Sequence, residues 1–147
     1  MSQERFAALM REFAAGFGID WQGKERHNRA VFRFGKTQVE FRYSAARRVL
    51  FLKAQLWKID PRNERALCLC LLNINGISRH MVTLGDDGQL GLRHRIMLGE
   101  KVVAAELEAE LRAFLDEASH LHKVFSNRQV AEFLSAEAPE LAAAGND

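Results

Sequence analysis

Cysteine and histidine are the usual ligands of zinc and similar metal ions, and in this chain neither occurs at the spacing that such a site needs. Cys68 and Cys70 lie two residues apart in an apolar run, with no second cysteine pair. We interpret them as small apolar core residues of a reduced, cytoplasmic protein. His120 and His122 would point about 200° apart on a helix. The sequence therefore predicts no metal site, and nothing in it calls for a cofactor.

Groups of residues that could catalyse a reaction are also hard to find. Asp86 and Asp87 form a tight pair of carboxylates, but they lie in a turn that favours Asp for backbone reasons. The sequence contains no glycine-rich phosphate-binding loop and no serine in a nucleophile motif. We therefore predict a protein that acts by binding and has no catalytic residues.

Basic and acidic residues are separated along the chain, although its net charge is only +2. Ten Lys or Arg and two acidic residues lie between Lys24 and Lys58, whereas ten acidic and four basic residues lie between Glu100 and Asp147. The basic segment pairs with the acidic end, meets an acidic partner, or is simply a solvated surface. Nucleic acid is one such partner, since a basic sheet with aromatic side chains can stack bases. The residues that favour it are Arg33, Arg42, Arg47, Arg48 and Lys53, near Phe32, Phe51 and Trp57.

Length and composition limit the architecture. With 147 residues, of which 48% are hydrophobic and 27% charged, the chain suits one domain around one core. No apolar run approaches the roughly 20 residues that span a bilayer. Charges interrupt the apolar pattern at the amino terminus, which argues against a secretory signal. We predict a domain over residues 1–126, followed by a short helix and flexible tail over residues 127–147.

Hydrophobic periodicity predicts an α+β domain in which helices pack on an antiparallel sheet of about five strands. The predicted order is helix, three strands, helix, two strands, helix. Helices are expected over 3–17 and 101–125. Another is expected from an N-cap at Asp60, with Pro61 at its first position, to just before Gly76. A short last helix is expected from a capping box at Ser126 to Leu134. Strands are expected over 30–34, 37–44, 47–57, 79–84 and 89–98, the last two joined by Asp87-Gly88.

Two of these elements carry more apolar surface than one sheet or helix layer can cover. In the third strand, Val49, Phe51 and Trp57 add apolar side chains to a second face, which is typical of a buried strand or of a binding surface. In the second helix, Leu69 and Leu72 point away from the other apolar residues. Exposing a leucine forfeits roughly 1.5–3 kcal/mol of burial. We therefore expect a second copy of the chain to cover them in a homodimer.

The sequence resembles the class I type III secretion chaperones, the Tir-chaperone-like family of small bacterial cytoplasmic proteins. The resemblance runs from Phe6 to about Phe125 and rests on the order of the elements and on three short patterns. Leu71-Leu72 followed by Asn75 resembles the family's Leu-Leu-x-x-Asn, and "LGDDGQLGL" resembles its strand, acidic turn and next strand. The segment "FLDEASHLHKVF" is similar to its last helix.

The resemblance implies a homodimer that binds the amino-terminal segment of a secreted effector in extended form, keeps it ready for secretion, and uses no nucleotide. It implies that Leu69, Leu72 and Asn73 of the second helix lie in the dimer interface. It also implies an effector groove on the first helix and the third strand, with simple core packing as the alternative for the helical residues. The groove residues nominated in this way are Phe6, Met10, Phe13, Phe17, Val49, Phe51 and Trp57.

The charge of the chain departs from the usual pattern of these chaperones, which are mostly acidic. Its pI is about 8.7. Either the effector segment is acidic and complements the basic middle, or the chain belongs to a neighbouring family with the same fold, such as the YbjN-like proteins. The alternative function is therefore a basic-sheet nucleic-acid-binding or YbjN-like regulatory protein.

Overall fold

The structure of the chain is a computed structural model, described for residues 2–17, 29–44, 46–60, 62–98 and 104–135. The predicted α+β order is confirmed, and the short last helix that was expected after Ser126 is present as well. The elements are α1 (Gln3–Gly16), β1 (Arg29–Phe34), β2 (Thr37–Ser44), β3 (Val49–Lys58), α2 (Glu64–Ile77), β4 (Met81–Leu84), β5 (Gln89–Met97), α3 (Ala104–Ser126) and α4 (Arg128–Ser135). The expected helical start at 101–103 and the tail at 136–147 lie outside the described residues.

The five described strands form one antiparallel sheet, as the sequence predicts, and their order in it is β1-β2-β3-β5-β4. Alternate residues of each strand point to one face, where α1 and α3 pack. The Phe13 ring of α1 lies 5.8 Å from the Phe32 ring and 5.4 Å from the Phe41 ring, measured between centroids. Leu111 and Phe114 of α3 are fully buried in the same core.

The opposite face of the sheet carries no helix of the described residues, and most of its side chains are exposed. We call it the outer face. Cross-strand pairing places its residues in rows: Phe51 of β3, for example, lies between Arg42 of β2 and Arg95 of β5. The outer face comprises Arg29, Val31, Arg33, Gln38, Glu40, Arg42, Val49, Phe51, Lys53, Gln55, Met81, Thr83, Gly91, Arg93, Arg95 and Met97.

The second helix begins later than the sequence predicts. Its N-cap is Asn63, whose side-chain oxygen accepts a hydrogen bond from the Ala66 N–H at 3.0 Å, rather than Asp60. Asp and Asn cap equally well, so local sequence could not choose between them. The Ile59 N–H donates to the Gly88 carbonyl at 3.0 Å, which keeps the chain beside the β4–β5 turn before the helix starts. The predicted first position, Pro61, lies outside the described residues.

Two further helix ends differ from the prediction by one or two residues. Gly76 lies inside α2, which continues to Ile77 and is capped by Ser78. The last helix starts after Asn127, whose side-chain oxygen accepts hydrogen bonds from the backbone N–H groups of Gln129 and Val130. Asn127, rather than Ser126, is therefore the cap. This helix packs on the start of α2, since the Leu134 carbonyl accepts from the Asn63 N–H at 3.3 Å.

A side-chain amide of α2 occupies the outer edge of β4. Asn75 donates to the Val82 carbonyl at 3.0 Å and accepts from the Val82 N–H at 2.7 Å. These two backbone groups face away from β5 and would otherwise be unpaired at an edge of the sheet. The Asn of the Leu-Leu-x-x-Asn pattern therefore fixes α2 against the sheet.

The turn between β4 and β5 depends on a glycine. Gly88 has a φ of +81°, and a Cβ atom placed there would lie 2.1 Å from the Ile59 carbonyl oxygen. Both the backbone conformation and the close approach to Ile59 exclude a larger residue.

We expect Gly88→Ala to lower the free energy of unfolding by about 2 kcal/mol or more, because Ala is strained at this φ and its Cβ collides with Ile59. Urea unfolding followed by circular dichroism measures the change. Gly16→Ala is the control, since a Cβ there meets no atom within 4 Å. That control should be neutral or slightly stabilising. Equal stability of the two variants would contradict the close packing of this turn.

Candidate partner-binding surfaces

The α1 residues nominated for an effector groove lie in the core instead. Phe6, Met10 and Phe13 are 3%, 0% and 1% exposed. The Phe6 ring stacks on Tyr43 of β2 at 5.4 Å between centroids. A stripe at helical spacing shows which side of a helix is covered, but not by what, and here the sheet of the same chain covers it. The groove assignment is therefore corrected for these three residues, which offer no surface to a partner.

Phe17, the C-cap residue of α1, keeps an accessible surface. Its ring is half-buried, 4.9 Å from the Phe13 ring and 5.4 Å from the Phe34 ring. The guanidinium carbon of Arg112 lies 5.4 Å from the centre of the same ring, a cation–π contact with α3. Phe17 therefore closes the end of the core between α1, β1 and α3.

The three nominated residues of β3 separate into different environments. Val49 is only 6% exposed, next to Met97 of β5 in the register, so its groove assignment is corrected too. Phe51 is half-buried on the outer face, between Arg42 and Arg95. A register shift between Gln55 and Trp57 displaces Trp57, whose ring contacts His122 of α3 edge-on at 5.2 Å.

A shallow groove of about 500 Å³ runs along the outer face near β1, β2 and β3. Its lining is mostly polar and basic and includes Arg29, Arg33, Lys36, Lys53, Gln55 and Trp57. It ends at the register shift of β3, where Trp57 provides the aromatic part of the wall. This groove is open enough to hold an extended chain lying on the sheet.

The basic residues of the outer face are more numerous than the sequence analysis identified. Arg33, Arg42 and Lys53 were predicted, but Arg93 and Arg95 of β5 join them because β5 pairs with β3. Arg29 of β1 joins them as well, and it forms an ion pair with Glu40 at 2.8 Å, while Arg42 lies 3.5 Å from the same carboxylate.

Two predicted residues of the basic surface, Arg47 and Arg48, lie in the β2–β3 turn rather than on a strand. Both are exposed, and Arg48 has a positive φ of 52°. Phe32, one of the predicted aromatics, is buried on the opposite, helix-covered face of the sheet. Of the three aromatic residues that were predicted to stack nucleic-acid bases, Phe51 and Trp57 therefore remain.

A second apolar surface lies on α2. Leu69 and Leu72 are 52% and 68% exposed, and Asn73 is exposed next to them. Gly76 continues the same side of the helix. We call these four residues the α2 face. Ile77, Met81 and Leu84 add exposed apolar side chains at the end of α2 and along β4. No described part of the chain covers this surface.

The two cysteines differ from the interpretation that both are core residues. Cys68 is exposed, because it lies about 100° around the helix from the buried Leu67. Cys70 is half-buried, and burial raises the pKa of its thiol. Within the described ranges, no three His, Cys, Asp or Glu side chains are arranged to hold a metal ion.

A buried histidine joins the start of β4 to α3, and the sequence analysis missed it. His80 is 4% exposed, and its Nδ1 pairs with Glu117, which also accepts a hydrogen bond from the Ser78 hydroxyl. The ring packs edge-on against Phe114 at 5.4 Å. His80 and Glu117 lie 37 residues apart, so no local pattern could reveal the pair.

A second histidine extends this network across the sheet. His94 Nε2 lies 2.9 Å from Glu110, which also accepts from Arg79 at 2.6 Å. The His94 and His80 rings meet edge-on at 4.5 Å. Burial lowers the pKa of His94, and the charges of His80 and Arg79 add to that effect against the opposing influence of Glu110. Burial acts to raise the pKa of Glu110, but hydrogen bonds and charge from His94 and Arg79 hold it below its usual range.

The chain matches the model of the Tir chaperone protein (CesT) family over residues 8–122, most of its length. The chain belongs to this family. The match includes the Leu-Leu-x-x-Asn helix, the acidic turn between β4 and β5, and most of α3, the elements on which the resemblance rested. That resemblance is confirmed. Family membership makes the exposed surfaces of the sheet and of α2 candidate surfaces for binding other chains.

Several solved structures share the fold. A chain in the crystal structure of the ExsC–ExsE complex matches with a TM-score of 0.71 at 22% identity, covering 84% of this chain and 96% of that one. The Yersinia pestis type III secretion chaperone SycH, in complex with a stable fragment of YscM2, matches with a TM-score of 0.62 at 16% identity, covering 79% and 98%. YbjN, a candidate transcription regulator from E. coli, matches with a TM-score of 0.63 at 13% identity, covering 84% and 93%. No curated protein matches the chain.

No helix among the described residues is both long enough and apolar enough to cross a lipid bilayer.

The buried histidine network predicts a loss of stability in acid. Because the pKa of His94 in the folded chain lies below its ordinary value of 6.5, the unfolded chain binds the proton first, and stability falls as the pH drops below about 6.5. The lowered pKa of Glu110 adds a loss in the same direction below its ordinary value of 4.5. We expect thermal unfolding to shift to lower temperature between about pH 7.5 and pH 5.5.

His94→Gln should reduce this pH dependence, although it lowers stability at neutral pH by removing the contact with Glu110. His120→Gln is the control, since His120 is exposed on α3. The same pH dependence in both variants would show that His94 is not the responsible group.

Proposed function

We propose that this chain is a homodimeric type III secretion chaperone of the bacterial cytoplasm. It binds the amino-terminal segment of a secreted effector in extended form and keeps that segment competent for secretion, by binding alone and without catalysis. The observation that carries the proposal is the match to the Tir chaperone family over residues 8–122. Structures of the same fold include the HopA1–SchA chaperone–effector complex.

The sheet supports the binding of an extended segment. In the described residues β1 pairs on one side only, with β2, so its other edge offers backbone groups to an added strand. At the β4 edge, Asn75 already occupies the outward backbone N–H and C=O of Val82. Next to the β1 edge lies the groove of the outer face, whose side chains would set specificity.

The α2 face supports the homodimer. Leu69 and Leu72 are 52% and 68% exposed, so each forfeits only part, although a large part, of the roughly 1.5–3 kcal/mol that full burial of a leucine contributes. Gly76 lets another backbone approach closely, because it has no side chain. A twofold axis through this surface would bring both copies of α2 together and cover all these residues at once.

We expect the double variant Leu69→Ser/Leu72→Ser to weaken dimerisation by about 100-fold or more, since it removes the apolar area that the two copies share. Sedimentation equilibrium at micromolar concentration measures it. Met97→Ser is the control, because Met97 is exposed on the outer face away from α2. A dimer that persists in the double variant, or a parent chain that is monomeric, would refute this interface.

Effector binding is tested with a secreted protein that a pull-down followed by mass spectrometry identifies as the partner. We expect the two to co-purify, and Phe51→Ala to weaken binding about tenfold in titration calorimetry, because the Phe51 ring is the main apolar group at the centre of the outer face. Phe133→Ala is the control, since Phe133 is an exposed aromatic residue of α4. Equal effects of both variants would remove the outer face from the binding site.

Nucleic-acid binding is the second candidate, favoured by the basic outer face and by the fold shared with YbjN. Affinity for nucleic acid would fall steeply with salt and on Arg47→Ala or Arg48→Ala. Affinity for an effector would depend mainly on Phe51 and only secondarily on salt. Measuring both partners across a salt series separates the two functions.

A further inference from the structure

The outer face brings like charges directly opposite each other on neighbouring strands. Arg29 pairs with Arg42 in the β1–β2 register, and Lys53 pairs with Arg93 in the β3–β5 register. Directly opposed side chains have Cβ atoms about 5 Å apart, and like charges in such pairs destabilise a sheet. These like-charge pairs lower the stability of the free chain, and an acidic ligand bound to the face would restore that stability.

The described outer-face residues include one carboxylate, Glu40, which lies opposite Lys53 in the β2–β3 register but forms its ion pairs with arginines of β1 and β2. One carboxylate oxygen of Glu40 lies 2.8 Å from the Arg29 guanidinium, and the other lies 3.5 Å from the Arg42 guanidinium. Among the described residues, no carboxylate lies within ion-pair distance of Lys53, Arg93 or Arg95. Six basic strand residues therefore share a single acidic one on this face: Arg29, Arg33, Arg42, Lys53, Arg93 and Arg95.

Apolar side chains are interspersed with these charges. The half-buried Phe51 lies between Arg42 and Arg95, and the row of Lys53 and Arg93 ends at the exposed Met81. Alternate side chains of an extended peptide are about 7 Å apart, close to the spacing of alternate residues along a strand. The face therefore suits an extended segment in which acidic and apolar side chains recur.

A polypeptide fits this surface better than a nucleic acid does. Glu40 lies among the basic residues, where it would repel a phosphate backbone, and one aromatic ring, Phe51, stands among the strand residues of the face. Single-stranded nucleic acid is normally held by several stacking rings along a uniformly positive groove. Short carboxylate side chains can reach Arg93 and Arg95 of β5, which lies two strands away from Glu40 on β2.

We propose that the outer face binds an acidic, partly apolar segment of the secreted partner in extended form. Carboxylates of the segment pair with Lys53, Arg93 and Arg95, and its apolar side chains contact Phe51. The inference rests on the proposed chaperone function and adds to it the chemistry of the segment and the strands that hold it. It also explains why this chain is basic: its charge is complementary to that of its ligand.

The first test uses two synthetic peptides of about twelve residues, one with the repeat Glu-Ser-Val-Ser and one with the repeat Gln-Ser-Val-Ser, because residues two apart in an extended chain share a face. In fluorescence anisotropy with the full chain, we expect the glutamate peptide to bind at least about tenfold more tightly at low salt. Raising the salt to about 0.5 M should remove most of the difference. Equal binding of the two peptides would overturn the inference.

The second test reverses the charge of two basic residues of the outer face. Lys53→Glu/Arg93→Glu should weaken binding of the glutamate peptide by about tenfold or more. The milder Lys53→Gln/Arg93→Gln should lie between this variant and the parent. Lys123→Glu/Arg128→Glu is the matched control, because it makes the same change of net charge on the exposed sides of α3 and α4. Circular dichroism checks that every variant is folded. Equal loss in the control would mean that only net charge matters and would overturn the assignment to the outer face.

Binding of the native secreted partner separates this inference from the proposed function. If the Lys53→Glu/Arg93→Glu variant binds that partner as tightly as the parent does, the chaperone function stands and the acidic-segment inference fails. If the parent binds the glutamate peptide but no secreted protein, the chemistry of the face stands and the chaperone function fails. Displacement of the peptide by a single-stranded or duplex oligonucleotide at comparable concentration and physiological salt would overturn the inference in favour of nucleic acid.

Discussion

The structure depends on one constraint: a single layer of helices covers only one face of a five-stranded sheet. The aromatic rings of Phe13, Phe32 and Phe41 lie in the covered layer, together with the other buried residues that give the helices and strands their apolar periodicity. The other face has to remain soluble without such a layer, and its arginines and lysines achieve this. The same side chains make that face a surface for another chain, so solubility and recognition arise from the same residues.

The contacts that join distant segments hold both surfaces in place. Asn75 ties α2 to the edge of β4, and His80 with Glu117 ties the preceding turn to α3. Since α2 presents Leu69 and Leu72 on its far side, these polar contacts orient an apolar surface that they do not touch. These buried polar groups fix the positions of the helices and strands that they join, because each hydrogen-bonded pair forms in only one arrangement of those elements.

Sequence periodicity predicted the order of the elements and the sheet because burial of one face imposes a period on helices and strands alike. It could not distinguish a core stripe from a binding stripe, so it could not decide between the groove that the family resemblance implied for Phe6, Met10 and Phe13 and the core packing that the structure shows. Arg93 and Arg95 were missed because only strand register places β5 beside β3. The His80–Glu117 pair was missed because it joins segments that are far apart in the chain.

The amide of Asn75 also bears on self-association, because an unpaired sheet edge is a template for aggregation. With β4 closed in this way, the exposed edge among the described strands is β1, and β1 carries Arg29 and Arg33. Two copies of β1 meeting edge to edge would bring arginines together and repel. A strand with acidic side chains would not be repelled in this way. The β1 edge therefore disfavours pairing with a second copy of β1 and favours pairing with an acidic strand of another chain.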